Sequence, residues 1–497
     1  MPRSFGEPEP GVGRSMSART TGRPLAYLTF VCVVATLAGF LFGFDAAVIN
    51  GTVAALSKEF ASSSVGTGLS VSSVLIGSAI GALLAGQYAE RMGRKPLMLL
   101  TAALCGLGAA GAGASPTAGV FFLSRLIGGF GVGAASVVAP AYIAEVSPAD
   151  IRGRLTTLQQ LAIVLGLQCA FLSNYLIARA AGGAEEPWLL GVHAWRWMFW
   201  AQLIPSLLFL GSSLCLPESP RFLIAKGREA AARLIMRRLW GATVDLEETI
   251  AEIARTVGSR DRPRSSDLRE PGSRTLLPIV WIGIALAFFQ QASGINAVMY
   301  FGEYLWGAAG FSEGHGLLIN VTLGAVLVAA TLVSMVLVDR IGRRPLLLGG
   351  SAVMSSTLLI LTAIFVLSAR NSAGVLVMTS LEAQMTLVAE HLFIFAFGVS
   401  WGPVVWVLLG EMFPNRIRAP ALALSAGVQW VTAFLVTITF PGLLATGGLS
   451  GVFCIYAVAS LGAFWTVRRY VSETKGVVLE DMPDTASEGW LSAERRI

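Results

Sequence analysis

Apolar residues in this chain do not alternate with polar ones but run in blocks of about 20, the length a helix needs to cross a bilayer core. Twelve such blocks occur, near residues 25–56, 69–89, 97–115, 118–143, 155–178, 195–216, 276–306, 316–338, 345–368, 388–410, 420–444 and 449–468, numbered spans 1 to 12 below. Helices that are apolar on every side belong in lipid, so the pattern predicts an all-α membrane protein with twelve transmembrane helices. Residues 1–24, rich in Gly, Pro, Ser and Arg, predict a disordered tail without the apolar core of a signal peptide. Residues 217–275 carry twelve Lys/Arg and nine Asp/Glu, with helical spacing over 230–240 and 246–257. They predict short amphipathic helices under the bundle, then a flexible stretch at 259–274. This linker is too short for a soluble catalytic domain. It separates two six-helix bundles, 25–216 and 276–470, and a tail follows at 471–497.

The two bundles repeat one another in their polar loops. Glu90-Arg91-Met92-Gly93-Arg94-Lys95-Pro96-Leu97 after span 2 matches Asp339-Arg340-Ile341-Gly342-Arg343-Arg344-Pro345-Leu346 after span 8. The spacing Glu145-x-x-Pro148-x-x-Ile151-Arg152 after span 4 recurs as Glu411-x-x-Pro414-x-x-Ile417-Arg418 after span 10. Glu218 and Arg221 after span 6 are echoed by Glu473 after span 12. Glycine permits a tight turn between antiparallel spans, and arginine can pair with acids or with helix C-terminal carbonyls. Repeated on one face, these residues are expected to act as conformational latches.

Charge then sets sidedness. Only 13% of residues are charged, against about 25% in ordinary soluble domains. All but five of the 36 Lys/Arg lie in the termini and in the loops on one side of the spans; the exceptions are Lys58, Arg125, Arg179, Arg196 and Arg370. The net charge of +6 therefore reports membrane topology rather than a nucleic-acid partner. It places both termini in the cytoplasm of a multi-pass plasma-membrane protein. The five cysteines and three histidines show no metal-ligand spacing, and no cofactor is implied.

Polar residues inside the spans carry the candidate chemistry. Span 7 contains Phe-Phe-Gln290-Gln291-Ala-Ser-Gly-Ile-Asn296, three amides within seven residues beside Gly294. An uncharged amide offers donors and an acceptor together, which suits a neutral polyhydroxylated ligand. Two charged residues lie well inside spans, Asp45 and Arg125, at depths differing by only about 6 Å, so they can pair. Arginine stays charged, whereas a carboxylate that loses its cation in a dry site takes up a proton. The pair is expected to act as a proton switch. Glycines interrupt spans 1, 7 and 10, at Gly39, Gly43, Gly51, Gly294, Gly398 and Gly402-Pro403, which predicts broken helices around a central cavity, while Gly128, Gly129, Gly131 and Gly133 of span 4 are read as close packing by small residues.

Taken as a set, GRKP and GRRP, RLIGGFGVG, PESPRFL, QQASGIN and SWGPVVWVLLGEMFPNRIR resemble the sugar porters of the major facilitator superfamily from about residue 25 to 475. The likeness is greatest to the xylose–proton symporters and extends to the facilitative glucose transporters. The resemblance implies two six-helix bundles, a central sugar site and alternating access. It adds Gln160 and Gln429 to the sugar-binding amides Gln290, Gln291 and Asn296, with Phe42, Tyr300, Trp401 and Trp430 as aromatic walls. Asp45 matches the position that is acidic in proton-coupled members, and Arg125 matches its partner. The chain differs from the xylose symporters at Leu167, Leu327 and Gln202, where they have glutamine, asparagine and glutamate. Gln168, beside Leu167, is expected to point about 100° away on an ideal helix.

The expectation is thus a monomeric, proton-coupled importer of a monosaccharide, an aldohexose such as glucose or galactose, with xylose as the other candidate. A uniporter of the same fold and a non-transporting sugar sensor are the alternatives. No nucleophile–base pair at membrane depth suggests an enzyme.

Overall fold

A computed structural model of the chain describes residues 23–60, 63–148, 152–241, 246–258, 265–270, 273, 275–370, 376–414 and 416–475. Residues 1–22 and 476–497, most of the 259–274 stretch and the side chain of Arg152 lie outside the described residues. Among the described residues the chain is mostly helical, with one antiparallel pair of two-residue strands, Ala369–Arg370 with Leu376–Val377, between spans 9 and 10, and isolated bridges Pro187–His193 and Arg269–Leu276.

Spans 2 to 5, 8 and 9 are unbroken: Ser64–Met92, Arg94–Ala114, Ala118–Val146, Arg152–Ala181, Glu313–Ile341 and Arg343–Leu367. The others are interrupted where the sequence removes a backbone donor or supplies a glycine. Span 1 runs Arg23–Val48, tightens to a 3-10 turn at Ile49–Thr52 and continues as Val53–Glu59. Span 6 divides into Ala194–Ala201 and Leu203–Ser213, because Pro205 has no N–H for the Ala201 carbonyl. Span 7 breaks between Pro278–Ala292 and Ile295–Ala308 at Gly294, whose φ is +85°. A Cβ there would lie 2.2 Å from the Tyr456 ring. Span 10 breaks between Ser380–Val399 and Val404–Met412. Spans 11 and 12 form one helical run, Arg418–Tyr470, kinked at Gly448. At 1.5 Å per residue that run would measure about 80 Å if straight, far more than one bilayer core, so it makes two crossings. The described residues thus make twelve crossings.

Span 1 corrects one expectation. Gly39 and Gly43 do not interrupt it; they let it lie against span 5, where a Cβ on Gly43 would fall 1.8 Å from the Ile163 carbonyl oxygen. Only the third glycine, Gly51, falls in a break.

The linker helices pack on the first half. The segment Glu229–Trp240 buries Ala232, Met236 and Leu239 in the same apolar cluster as Leu28, Val31 and Ile143, and the Trp240 indole N–H donates to the Val146 carbonyl at 2.9 Å. A second, larger cluster fills the other half and continues across to spans 1 and 5 through Phe44, Val48, Leu167 and Phe171.

Candidate functional site

Two helix breaks face one another, and a glutamine joins them. Gln290 ends the first piece of span 7, and its Nε2 donates to the carbonyls of Trp401 (2.7 Å) and Gly402 (3.2 Å) in the break of span 10. Those carbonyls have left the helical ladder, so a partner is required at membrane depth. The Oε1 of Gln290 accepts from Gln429 Nε2 of span 11 at 3.1 Å, while Asn296 Nδ2, across the Gly294 break, donates to Gln291 Oε1 at 2.7 Å. These bonds occupy Gln290. Among the described residues, the Gln291 NH2, the carbonyls of Asn296 and Gln429 and the whole Gln160 amide remain without an intramolecular hydrogen bond, the set a hydroxylated ligand would use.

The aromatic residues fall in three places. Phe42 of span 1 and Trp430 of span 11 are half-buried and meet across the halves with ring centroids 6.0 Å apart. Tyr300 is buried, within electrostatic reach of Asp45 and Arg125. Trp401 is 1% exposed, its N–H on the Leu347 carbonyl at 3.2 Å, so it props the span 10 break from behind. Trp406, on the next piece of span 10, keeps part of its surface open. Gln168 lies against Gly324 of span 8, where a Cβ would come within 2.1 Å of its Oε1.

Asp45 is 2% exposed. Its Oδ1 accepts from Arg125 Nη1 at 2.8 Å and from Gln202 Nε2 at 3.0 Å, and Arg125 Nη2 reaches the Asp45 carbonyl at 3.3 Å. The guanidinium also lies 5.6 Å from the centroid of the Phe199 ring. Asp45 Oδ2 is buried and has no partner among the described residues. Gln202 is held here because the break in span 6 sets it between two helical pieces. Two further acids lie within the spans that sequence reading did not single out: Glu303 of span 7 and Glu390 of span 10 are both buried. Both sit close to the ends of the spans as read from sequence, 276–306 and 388–410, so depth counting passed over them.

Asn50 was also missed. It is wholly buried in the span 1 break and ties the halves together at the end opposite the basic loops. Its Nδ2 donates to the Met299 carbonyl (2.8 Å), and its Oδ1 accepts from the Glu303 N–H (3.1 Å) and from Asn320 Nδ2 (2.6 Å). At the same end the Ala184 N–H donates to Glu313 Oε1 at 2.7 Å. The available signal was a second polar side chain in a span already carrying Asp45.

The repeated loops form two copies of one cluster, each within its own half. Arg94 Nη2 meets Glu145 Oε1 at 2.7 Å, Glu145 Oε2 accepts from Ser219 Oγ, and Glu218 Oε1 takes the Arg94 N–H at 2.9 Å. In the second half Arg343 meets Glu411 at 2.7 Å, Glu411 accepts from the Thr474 hydroxyl at 2.6 Å, and Glu473 takes the Arg343 and Arg344 N–H groups at 2.9 and 3.0 Å. Burial alone would push the Glu473 carboxyl up, but the N–H groups of Arg343, Lys475, Arg344 and Thr474 outweigh it and hold it below the ordinary glutamate range. Gly93 and Gly342, with φ of +99° and +104°, let the chain come this close to those carboxylates. Asp339 adds a 3.3 Å contact to Arg343, and Arg418 Nε donates to the Phe413 carbonyl at 3.1 Å. Glu90, Arg91, Arg221 and Arg340 are exposed at this end.

A duplicated twelve-span helical bundle, with broken helices presenting uncharged amides at its centre and a buried ion pair in one half, has the make-up of a secondary transporter. The family model described as "Sugar (and other) transporter" matches residues 31–485, and the chain belongs to that family. It is 50% identical to the glucose transport protein of Synechocystis sp. over 92% of this chain and 97% of that one. It is 34% identical to the D-xylose-proton symporter of Escherichia coli, covering 92% and 95% respectively. The inward open conformation of the xylose transporter XylE from E. coli superposes with a TM-score of 0.76 at 32% identity, over 92% of this chain and 99% of that one. The protein is a membrane transporter, not an enzyme.

Proposed function

We propose that the protein imports an aldohexose, glucose or galactose, together with a proton, by alternating access. The observation that carries this reading is the Asp45 carboxylate: buried, held through one oxygen by Arg125 and Gln202, with its other oxygen unpartnered. The glucose transport protein at 50% identity supports a hexose. In the cycle, sugar hydroxyls bond to Gln160, Gln291, Asn296 and Gln429, and their C–H faces pack on Phe42 and Trp430. Gln290 transmits closure, because it joins span 7 to the break in span 10. When helix movement parts Asp45 from Arg125, the carboxylate loses its counter-charge in a dry site and takes up a proton.

The segments 25–216 and 276–470 serve as the two rocking bodies, joined by the linker at 217–275, in a protein that works as a monomer. The Arg94–Glu145 and Arg343–Glu411 clusters brace the inner end of each body. The excess of Lys/Arg at that end sets it, with both termini, in the cytoplasm of a plasma membrane. The Asn50 cluster then closes the outer end.

Purified protein in proteoliposomes tests the main claim. Glucose added on one side is expected to draw protons across with it, and galactose to compete more strongly than xylose; sugar uptake with no proton movement would leave a uniporter instead. A second test concerns the outer closure. Asn50→Ala removes three hydrogen bonds of about 0.5–1.5 kcal/mol each, so it is expected to shift the equilibrium toward outer-open states by tenfold or more. Spin-label distances between the outer ends of spans 1 and 7 read this directly, and an unchanged distribution would remove Asn50 from the gate.

A further inference from the structure

At the basic end of the second half, Arg344, Arg468 and Arg469 line a hollow of about 430 Å³ together with Phe464 and Trp465. No acid lines it among the described residues. Arg344 Nη2 donates to the Arg468 carbonyl at 3.0 Å, and Arg344 Nε is buried without a partner. The Arg468 side chain is exposed and makes no hydrogen bond among the described residues, and Arg469 lies 5.7 Å from the Tyr470 ring centroid. Glu473, the acid nearest in sequence, is engaged by backbone N–H groups.

An apolar strip leads away from these cations. Val458, Leu461 and Trp465 are exposed at 62%, 46% and 57%, spaced to fall on one face of span 12. From Val458 to Arg468 the helix rises about 15 Å, half of a bilayer core of about 30 Å. The face thus offers one leaflet's depth of hydrocarbon contact ending in guanidinium groups.

The internal repeat shows that the Arg468 side chain exceeds what this tie between helix ends needs. In the first half Lys95 Nζ donates to the Leu214 carbonyl at 2.7 Å, the same tie between helix ends that Arg344 makes to Arg468. Yet the stretch there, Ser212-Ser213-Leu214-Cys215-Leu216, carries no charge. Fixing the helix end does not require the Arg468 side chain.

We propose that this hollow binds the headgroup of an anionic phospholipid, with an acyl chain lying along Val458, Leu461 and Trp465. Guanidinium forks match phosphate oxygens in pairs, and an interfacial tryptophan suits the glycerol level. A zwitterionic lipid brings its own ammonium toward the arginines, so net negative charge is selected. A free phosphate would leave the strip uncovered.

The test uses the full chain in detergent, with phosphatidylglycerol and phosphatidylcholine of identical acyl chains, and lipid retention read by native mass spectrometry. Wild type is expected to retain phosphatidylglycerol in preference. Arg468→Gln should lower that preference about fivefold and Arg344→Gln/Arg468→Gln about 25-fold, at roughly a factor of five per cation. Lys95→Gln should leave it unchanged. The single Arg468 variant, whose side chain holds no structural bond, keeps the test valid if the double variant does not fold. Equal retention of the two lipids by wild type, wild-type preference in Arg468→Gln, or displacement of phosphatidylglycerol by millimolar inorganic phosphate would each overturn the proposal.

Discussion

Asp45→Asn is expected to abolish accumulation of sugar against its gradient while leaving exchange measurable. One proton crossing 100 mV carries about 2.3 kcal/mol, enough for roughly a 50-fold concentration ratio, and an asparagine that cannot take up the proton should bring that ratio to about one. The amide oxygen can still accept from Arg125 Nη1 and Gln202 Nε2, which is why the helices should stay in place. The guanidinium nevertheless loses its counter-charge in a buried site, a change that costs about 3–5 kcal/mol, so the melting temperature should fall. Labelled-sugar uptake and counterflow in the same vesicles separate the two effects. Undiminished accumulation would take Asp45 out of the coupling step.

Gln290→Leu and Gln291→Ala should part company although the residues are adjacent. Leucine at 290 strips the Trp401 and Gly402 carbonyls and Gln429 of a partner at once, and each buried unsatisfied group costs about 1–3 kcal/mol. That variant should melt well below wild type and lose transport altogether. Alanine at 291 removes only the Asn296 bond and a free NH2, so it should fold normally while KM for sugar rises about three- to tenfold, the worth of one neutral hydrogen bond. Thermal melting and uptake kinetics on both proteins check this. Equal loss of stability in the two would mean that neither amide is reserved for ligand.

Much of the site could be read from residue type and depth. Twelve apolar blocks needed no contact information, because lipid demands an apolar surface along the whole length of each span. The Gln290-Gln291-Asn296 group stood out for the same reason in reverse, as did Asp45 and Arg125. Other features depend on which way a side chain turns. Trp401 and Trp406 share a span and a composition, and only the break between Val399 and Val404 turns the first inward onto Leu347 and leaves the second half-open. Gln202, read as a departure at a site where an acid is usual, proves to donate directly to Asp45.

By itself the sequence determined the twelve spans, the duplicated loops and the residues too polar for lipid, since each follows from the cost of placing a given group at a given depth. The tertiary structure alone decided how those groups are partnered. Arg94 and Arg343 find acids within their own halves, Asn50 reaches across to the other half, and Gln290 bonds to broken backbone. Partnering depends on the positions of two chain segments at once, to within the length of a hydrogen bond, and no local pattern in one segment contains the position of the other.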